Sequence, residues 1–272
     1  MTYCLGIVTK YGLVMASDSR TNAGYDQVNV VRKMHTFVTP GDRALVVLTA
    51  GSLSLTQSVL TLLGRDFHAG RGLATVENMY DAARIIGEQV RKVSDMDRDA
   101  LERDEYKFNV NFILGGQIQG APPQLFMIYA QGNPLQATED SPYLQIGETK
   151  YGRPILDRCI RYDTTTLEEA AKIALLSLDG TMRSNVTVGP PIDLLAYTAD
   201  EFAITAQRRF ELNDADLLKI GARYEAGIRQ LVSRLPDVRF RHTGVPETGK
   251  SRDTIELVEK GAGGEGEPGR QG

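Results

Sequence analysis

The chain has 272 residues, 42% of them hydrophobic and 24% charged, a balance that excludes a disordered or fibrous protein. Lys and Arg total 31 against 35 Asp and Glu, a net charge of −4 that gives no bulk attraction to nucleic acid or anionic lipid. Two cysteines, Cys4 and Cys159, and three histidines supply neither a disulfide framework nor a zinc-type spacing, so no metal and no cofactor are expected. No apolar run approaches the ~20 residues of a spanning helix, and the opening Met1-Thr2-Tyr3-Cys4-Leu5 lacks the features of a signal peptide. A cytoplasmic protein with reduced thiols is expected, with neither nucleic acid nor membrane as partner.

Tyr3–Thr9 and Gly12–Ser19 read as two strands joined by the turn Lys10-Tyr11-Gly12. The polar stretch Asp18–Asp26 ends that pair. Met34–Val38 and Arg43–Ala50 form a second pair across Thr39-Pro40-Gly41-Asp42, where Pro presets φ and Gly admits a positive φ. Leu55, Val59, Leu62 and Leu63 then recur at helical spacing, with Gly64 as the stop. Met79, Ala82, Ala83, Ile86, Val90 and Val93 form a second helical stripe, followed by a solvated helix end and loop over Asp95–Lys107.

Strands return at Phe108–Ile118 and Gln124–Ala130, and a short one ends at Gln145-Ile146. A helix spans about 150–160. The next opens with a capping box, Thr166 and Glu169, and aligns Leu167, Ala170, Ala171, Ala174, Leu175 and Leu178. Strands at Ile192–Thr198 and Glu201–Gln207 precede a helix over about 214–235, striped by Leu217, Ile220, Tyr224, Ile228, Leu231 and Leu235. From Thr243 the composition changes. Thr254–Val258 has the composition of a short strand, and the Gly-rich residues 261–272 are expected to be disordered. One domain over 2–242 and an extension over 243–272 follow. Strands come in groups rather than alternating with helices, which argues for antiparallel sheets with helices packed outside.

The most informative residue is Thr2. Removal of Met1 would expose an α-amine on a residue that carries a hydroxyl. A Thr hydroxyl needs an adjacent base, and an α-amine of reference pKa about 7.7–8.0 can be that base. Asp18 ends the second strand and Lys33 opens the third. A Lys beside Thr2 favours loss of the hydroxyl proton and disfavours a charged amine, and the Asp holds the Lys in place.

Taken together, the Thr-initiated strand, ASDSR ending at Arg20, a Lys fifteen residues after Asp18, and Thr49-Ala50-Gly51 closing a strand resemble proteasome β-subunits, which are N-terminal nucleophile hydrolases. MTYC, ASDSRTNAG and QIGETKYG look closer still to the bacterial Anbu-type homologues. The resemblance covers roughly residues 2–235. It implies an α+β fold, a four-layer αββα sandwich of two mainly antiparallel sheets. It also implies that Thr2 is the nucleophile and, through its amine, the base. Asp18 and Lys33 take the acidic and basic partner positions, and Gly51 takes the glycine position whose N–H forms the oxyanion hole.

Two later motifs depart from the family pattern. Glu148, in Ile146-Gly147-Glu148-Thr149-Lys150, stands where relatives carry a Ser. In Arg183-Ser184-Asn185-Val186-Thr187-Val188, Ser184 replaces an Asp and Thr187 a Ser. Those family residues hold the α-amine, and Glu148 and Asp179 are the candidates to act in their place. The resulting expectation is a threonine-type hydrolase of peptide or amide bonds that self-associates into a multi-subunit assembly. The alternatives are a catalytically silent structural subunit and a small-amide hydrolase. The chain has no phosphate-loop motif, so an ATPase would be a separate partner.

Overall fold

The computed structural model describes residues 2–22, 28–103, 105, 108–240 and 256–258, with the backbone alone described at 22, 28 and 256–258. Two compact units emerge, Met1–Gly221 and Ala222–Gly272.

In the first unit, β1 (Tyr3–Thr9) pairs antiparallel with β2 (Gly12–Asp18), Cys4 opposite Ser17. The next two strands, β3 (Arg20–Asn22) and β4 (Val28–Val30), pair only with each other. They fall in and just after the stretch expected to be irregular. β3 reads Arg-Thr-Asn with no apolar alternation, and β4, Val-Asn-Val, is only three residues long. Next come β5 (Met34–Thr39), β6 (Arg43–Gly51), α1 (Leu53–His68), a short 3-10 turn at Gly72–Ala74 and α2 (Met79–Arg103). Gly64 does not end α1. The helix runs on because Phe67 packs edge-on against Phe37 of β5, ring centroids 5.4 Å apart. The expected α2 stripe is buried at all six positions, and the helix persists through the charged segment to Arg103.

The following strands are β7 (Val110–Ile118), β8 (Gln124–Ile128), β9 (Pro134–Gln136) and β10 (Tyr143–Gly147). β9 is not among the expected strands; it is a short edge strand opened by a proline, where a missing N–H is tolerated. Two helices follow, α3 (Arg153–Cys159) and α4 (Leu167–Ser184). The capping box is complete: Glu169 N–H donates to Thr166 Oγ1 at 3.2 Å, and Thr166 N–H donates to Glu169 Oε2 at 2.9 Å. Thr166→Ala is expected to cost about 1 kcal/mol and lower the melting temperature by about 2–4 °C, which calorimetry checks.

β11 (Ile192–Thr198) is as expected, but β12 covers Ala206–Phe210 rather than Glu201–Gln207. Asp200 and Phe202 adopt positive φ, and Gln117 Oε1 and the Tyr197 hydroxyl accept their N–H groups. That turn consumes the first half of the expected strand. The helix α5 (Ala215–Ser233) begins in this unit. In the second unit, β13 (Asp237–Arg239) pairs antiparallel with β14 (Glu256–Val258). Residues 259–272, including the stretch expected to be disordered, lie outside the described residues, as do Thr254 and Ile255.

One sheet has the order β10-β1-β2-β11-β12 and the other β5-β6-β7-β8-β9, every pairing antiparallel. Strand alternation sends one set of side chains to the helices and the other to the facing sheet. Tyr3, Leu5 and Ile7 pack with Leu156, Ala170, Ala174 and Leu178 of α3 and α4. Cys4 and Val8 turn the other way, towards Val46, Leu48 and Ile113. The second sheet's outer face, with Leu45, Val47 and Phe112, packs on Val59 of α1 and Ile86 and Val90 of α2. The unit is therefore a helix–sheet–sheet–helix sandwich, and both faces of β1 are buried.

Candidate active site

Thr2 stands immediately before β1, half-buried. The end of β10 holds its backbone. Glu148 N–H donates to Thr2 O at 2.7 Å. Gly147 has φ +87°, and a Cβ there would lie 1.9 Å from Thr2 O. Only glycine fits. Gly147→Ala is expected to break the Glu148–Thr2 bond and cost about 1–3 kcal/mol, read as a lower melting temperature and faster amide exchange at Glu148.

The next residue, Tyr3, donates its N–H to Asp18 Oδ1 at 3.0 Å. Its hydroxyl bonds Ser177 Oγ at 2.7 Å and the Gln145 amide. Burial pushes that hydroxyl up to about 12, so it is protonated at neutral pH. Asp18 is completely buried at the end of β2. Lys33 Nζ donates to Asp18 Oδ1 at 2.6 Å and to Arg20 O at 2.7 Å, and Gly189 N–H donates to Asp18 Oδ2 at 3.3 Å. Lys33 is itself only 4% exposed, and its carbonyl accepts from Thr49 N–H at 3.0 Å, tying it to β6. Burial pushes the Asp18 carboxyl upward. The Lys33 ammonium, then the two backbone N–H donors, oppose that rise without cancelling it.

Thr2, Lys33 and Gly51 line one open cavity of about 510 Å³, with Thr21, Thr49, Asn109 and Asn111 on its walls. Gly51 ends β6 with φ +113°, and a Cβ there would lie 2.2 Å from Asn109 O. The neighbouring Cys4 thiol is buried and donates to Thr49 O at 3.5 Å, and burial raises it far above the usual thiol range. A hydroxyl, a cation backed by a buried carboxylate, and a glycine thus meet at one cavity, and such a set can support attack on a carbonyl. Among the described residues no cluster of His, Cys, Asp and Glu could hold a metal ion, and no helix is long and apolar enough to cross a membrane.

Of the supporting candidates, Glu148 is buried beside Thr2, and Thr187 lies in the turn after α4. Ser184 is exposed at the last residue of α4, and Asp179 pairs with Arg183 at 3.1 Å; neither lines the cavity. Gly147 and Asn185 are not among the expected site residues. Asn185 Nδ2 donates to Glu148 Oε2 at 2.9 Å. It lies inside the motif already aligned, one residue beyond Ser184.

A sandwich of two antiparallel sheets between helices, with Thr2 at the head of a central strand, is the N-terminal nucleophile hydrolase fold. A model of the proteasome subunit family matches residues 2–195. A proteasome subunit beta 1 from Pyrobaculum calidifontis is 25% identical over 202 residues, covering 74% of this chain and 92% of the relative. Solved structures of Anbu, the ancestral β-subunit, are more similar. The one from Yersinia bercovieri is 44% identical with a TM-score of 0.80, over 87% of this chain and 99% of its own. An Anbu mutant from Hyphomicrobium sp. strain MC1 is 43% identical with a TM-score of 0.82, over 87% and 99%. A helical assembly of the Anbu complex from Pseudomonas aeruginosa is 45% identical with a TM-score of 0.82, over 86% and 97%. The chain belongs to the proteasome subunit family, in its Anbu branch.

Proposed function

We propose that the protein is a threonine hydrolase of peptide or amide bonds, with Thr2 as nucleophile once Met1 is removed. The observation that carries this reading is the buried Asp18–Lys33 pair, 2.6 Å apart, whose Lys33 lines the same cavity as Thr2. The Thr2 hydroxyl attacks the substrate carbonyl and passes its proton to its own α-amine. Lys33 favours loss of that proton and keeps the amine neutral, and Asp18 fixes Lys33. Gly51 N–H donates to the developing oxyanion. The amine then hands the proton to the leaving nitrogen as the C–N bond breaks, leaving an ester on Thr2. Water, deprotonated by the same amine, hydrolyses the ester and restores the hydroxyl. No metal or organic cofactor takes part.

Intact-mass spectrometry with a peptide epoxyketone tests the reading, because ring closure on that probe needs both the Thr hydroxyl and a free α-amine. Loss of Met1 plus one adduct is expected. A Met1-free protein that takes no adduct and cleaves neither peptides nor small amides would overturn the proposal.

We also infer self-association into a multi-subunit assembly in the cytoplasm. The relative from Pseudomonas aeruginosa forms a helical assembly. In the second unit α5 leaves Ile228, Leu231 and Val232 exposed, an apolar set suited to a second copy. Both thiols are free, as a reducing compartment requires. Sedimentation is the check, and a monomer at micromolar concentration would contradict it.

A further inference from the structure

The turn that leaves α4 ties together two parts of the site, and the proposed chemistry does not use it. Asn185 Nδ2 donates to Glu148 Oε2 at 2.9 Å. Asn185 Oδ1 accepts from Thr187 N–H at 3.0 Å and from Thr187 Oγ1 at 2.6 Å. The other Glu148 oxygen, Oε1, faces Lys150 Nζ at 3.3 Å, and the Glu148 backbone is the group that bonds Thr2 O. Further along the same turn, Val186 O accepts from Arg20 Nη1 at 2.6 Å, and Gly189 N–H reaches Asp18. Arg20 O in turn accepts from Lys33. One short segment, 185–189, therefore grips the Thr2 anchor at its start and the Asp18–Lys33 pair at its end.

The chemistry of position 185 is demanding. The side chain must donate to a buried carboxylate and accept from Thr187 at the same time, which an amide does and a carboxylate or an alkyl group does not. A carboxylate there would face Glu148 with like charge. An alkyl group would remove the buried carboxylate's amide donor.

We propose that Asn185 is a positioning residue for the Thr2 site: by fastening the Glu148 carboxylate to the 185–189 turn, it sets Thr2 against the Asp18–Lys33 pair. The kinetic part of this inference rests on the hydrolase reading. The positional part does not.

The test uses the full chain with Met1 removed, in three variants: Asn185→Ala, Asn185→Asp, and Asn185→Asp combined with Glu148→Gln. The combined variant reverses the donor and acceptor and keeps one negative charge. Two quantities are read, the rate of epoxyketone addition and the hydrogen exchange of the Glu148 amide. Each single variant is expected to slow addition about tenfold, the loss of one hydrogen bond to a charged group. Each is also expected to speed exchange at Glu148 by about fivefold or more. The combined variant should return both quantities to within about threefold of the parent, the mark of a direct pair. Variants that lower the melting temperature but leave both quantities at parental values would overturn the proposal. Failure of the combined variant to recover would do so too. If the Met1-free parent takes no epoxyketone and cleaves neither peptides nor small amides, the hydrolase reading falls and the exchange still decides. Unchanged exchange at Glu148 refutes the role of Asn185, and faster exchange reversed in the combined variant upholds it.

Discussion

Thr2→Ala is expected to lower amide hydrolysis by at least about a thousandfold, because it removes the proposed nucleophile together with the hydroxyl that its own α-amine would deprotonate. The change trims a half-buried side chain at the rim of an open cavity. The melting temperature is therefore expected to stay within about 2 °C of the parent. Thr2→Ser keeps a hydroxyl and an amine and is expected to retain a measurable fraction of the rate. Fluorogenic peptides and small chromogenic amides, assayed side by side, read both variants. Turnover by Thr2→Ala at the parental rate would place the nucleophile elsewhere.

The second large effect is on stability as well as rate. Lys33→Ala strands the Asp18 carboxylate, which is fully buried and loses its strongest partner. Breaking a buried ion pair from one side costs about 3–5 kcal/mol. For a chain of this size that lowers the melting temperature by roughly 6–20 °C. Combining Lys33→Met with Asp18→Asn removes both charges, and is expected to recover most of the stability and none of the hydrolysis. Calorimetry and the amide assay together separate the two roles of the pair. Recovery of activity by the combined variant would show that the charges serve the fold alone.

What the sequence disclosed and what it hid have separate physical causes. β1, β2, β6 and the stripe of α2 were legible because an apolar pattern repeats within a few residues and burial follows it. Among the candidate site residues, Thr2, Asp18 and Lys33 stood out as a nucleophile and its acidic and basic partners near strand ends, and Gly51 came from the resemblance to proteasome β-subunits. The hidden parts depend on distant partners. Gly64 stays helical because Phe67 finds Phe37. The strand expected from Glu201 starts late because Gln117 and Tyr197 capture the turn before it. Asn185 meets Glu148 across 37 positions of sequence, and no local pattern announces such a pair.

The place of β1 inside its sheet also sets an order of events in time. It lies between β2 and β10, and Tyr3 faces Gly147 across the second of these pairings. Thr2 therefore has no seat until the ribosome has made more than half the chain. At about 5–20 residues per second, that interval is on the order of ten seconds. Joining strands so far apart in sequence also slows folding itself. Throughout that interval the proposed site stays unassembled. A site seated this way is assembled only after more than half of its chain has been made, and that timing follows from strand order alone.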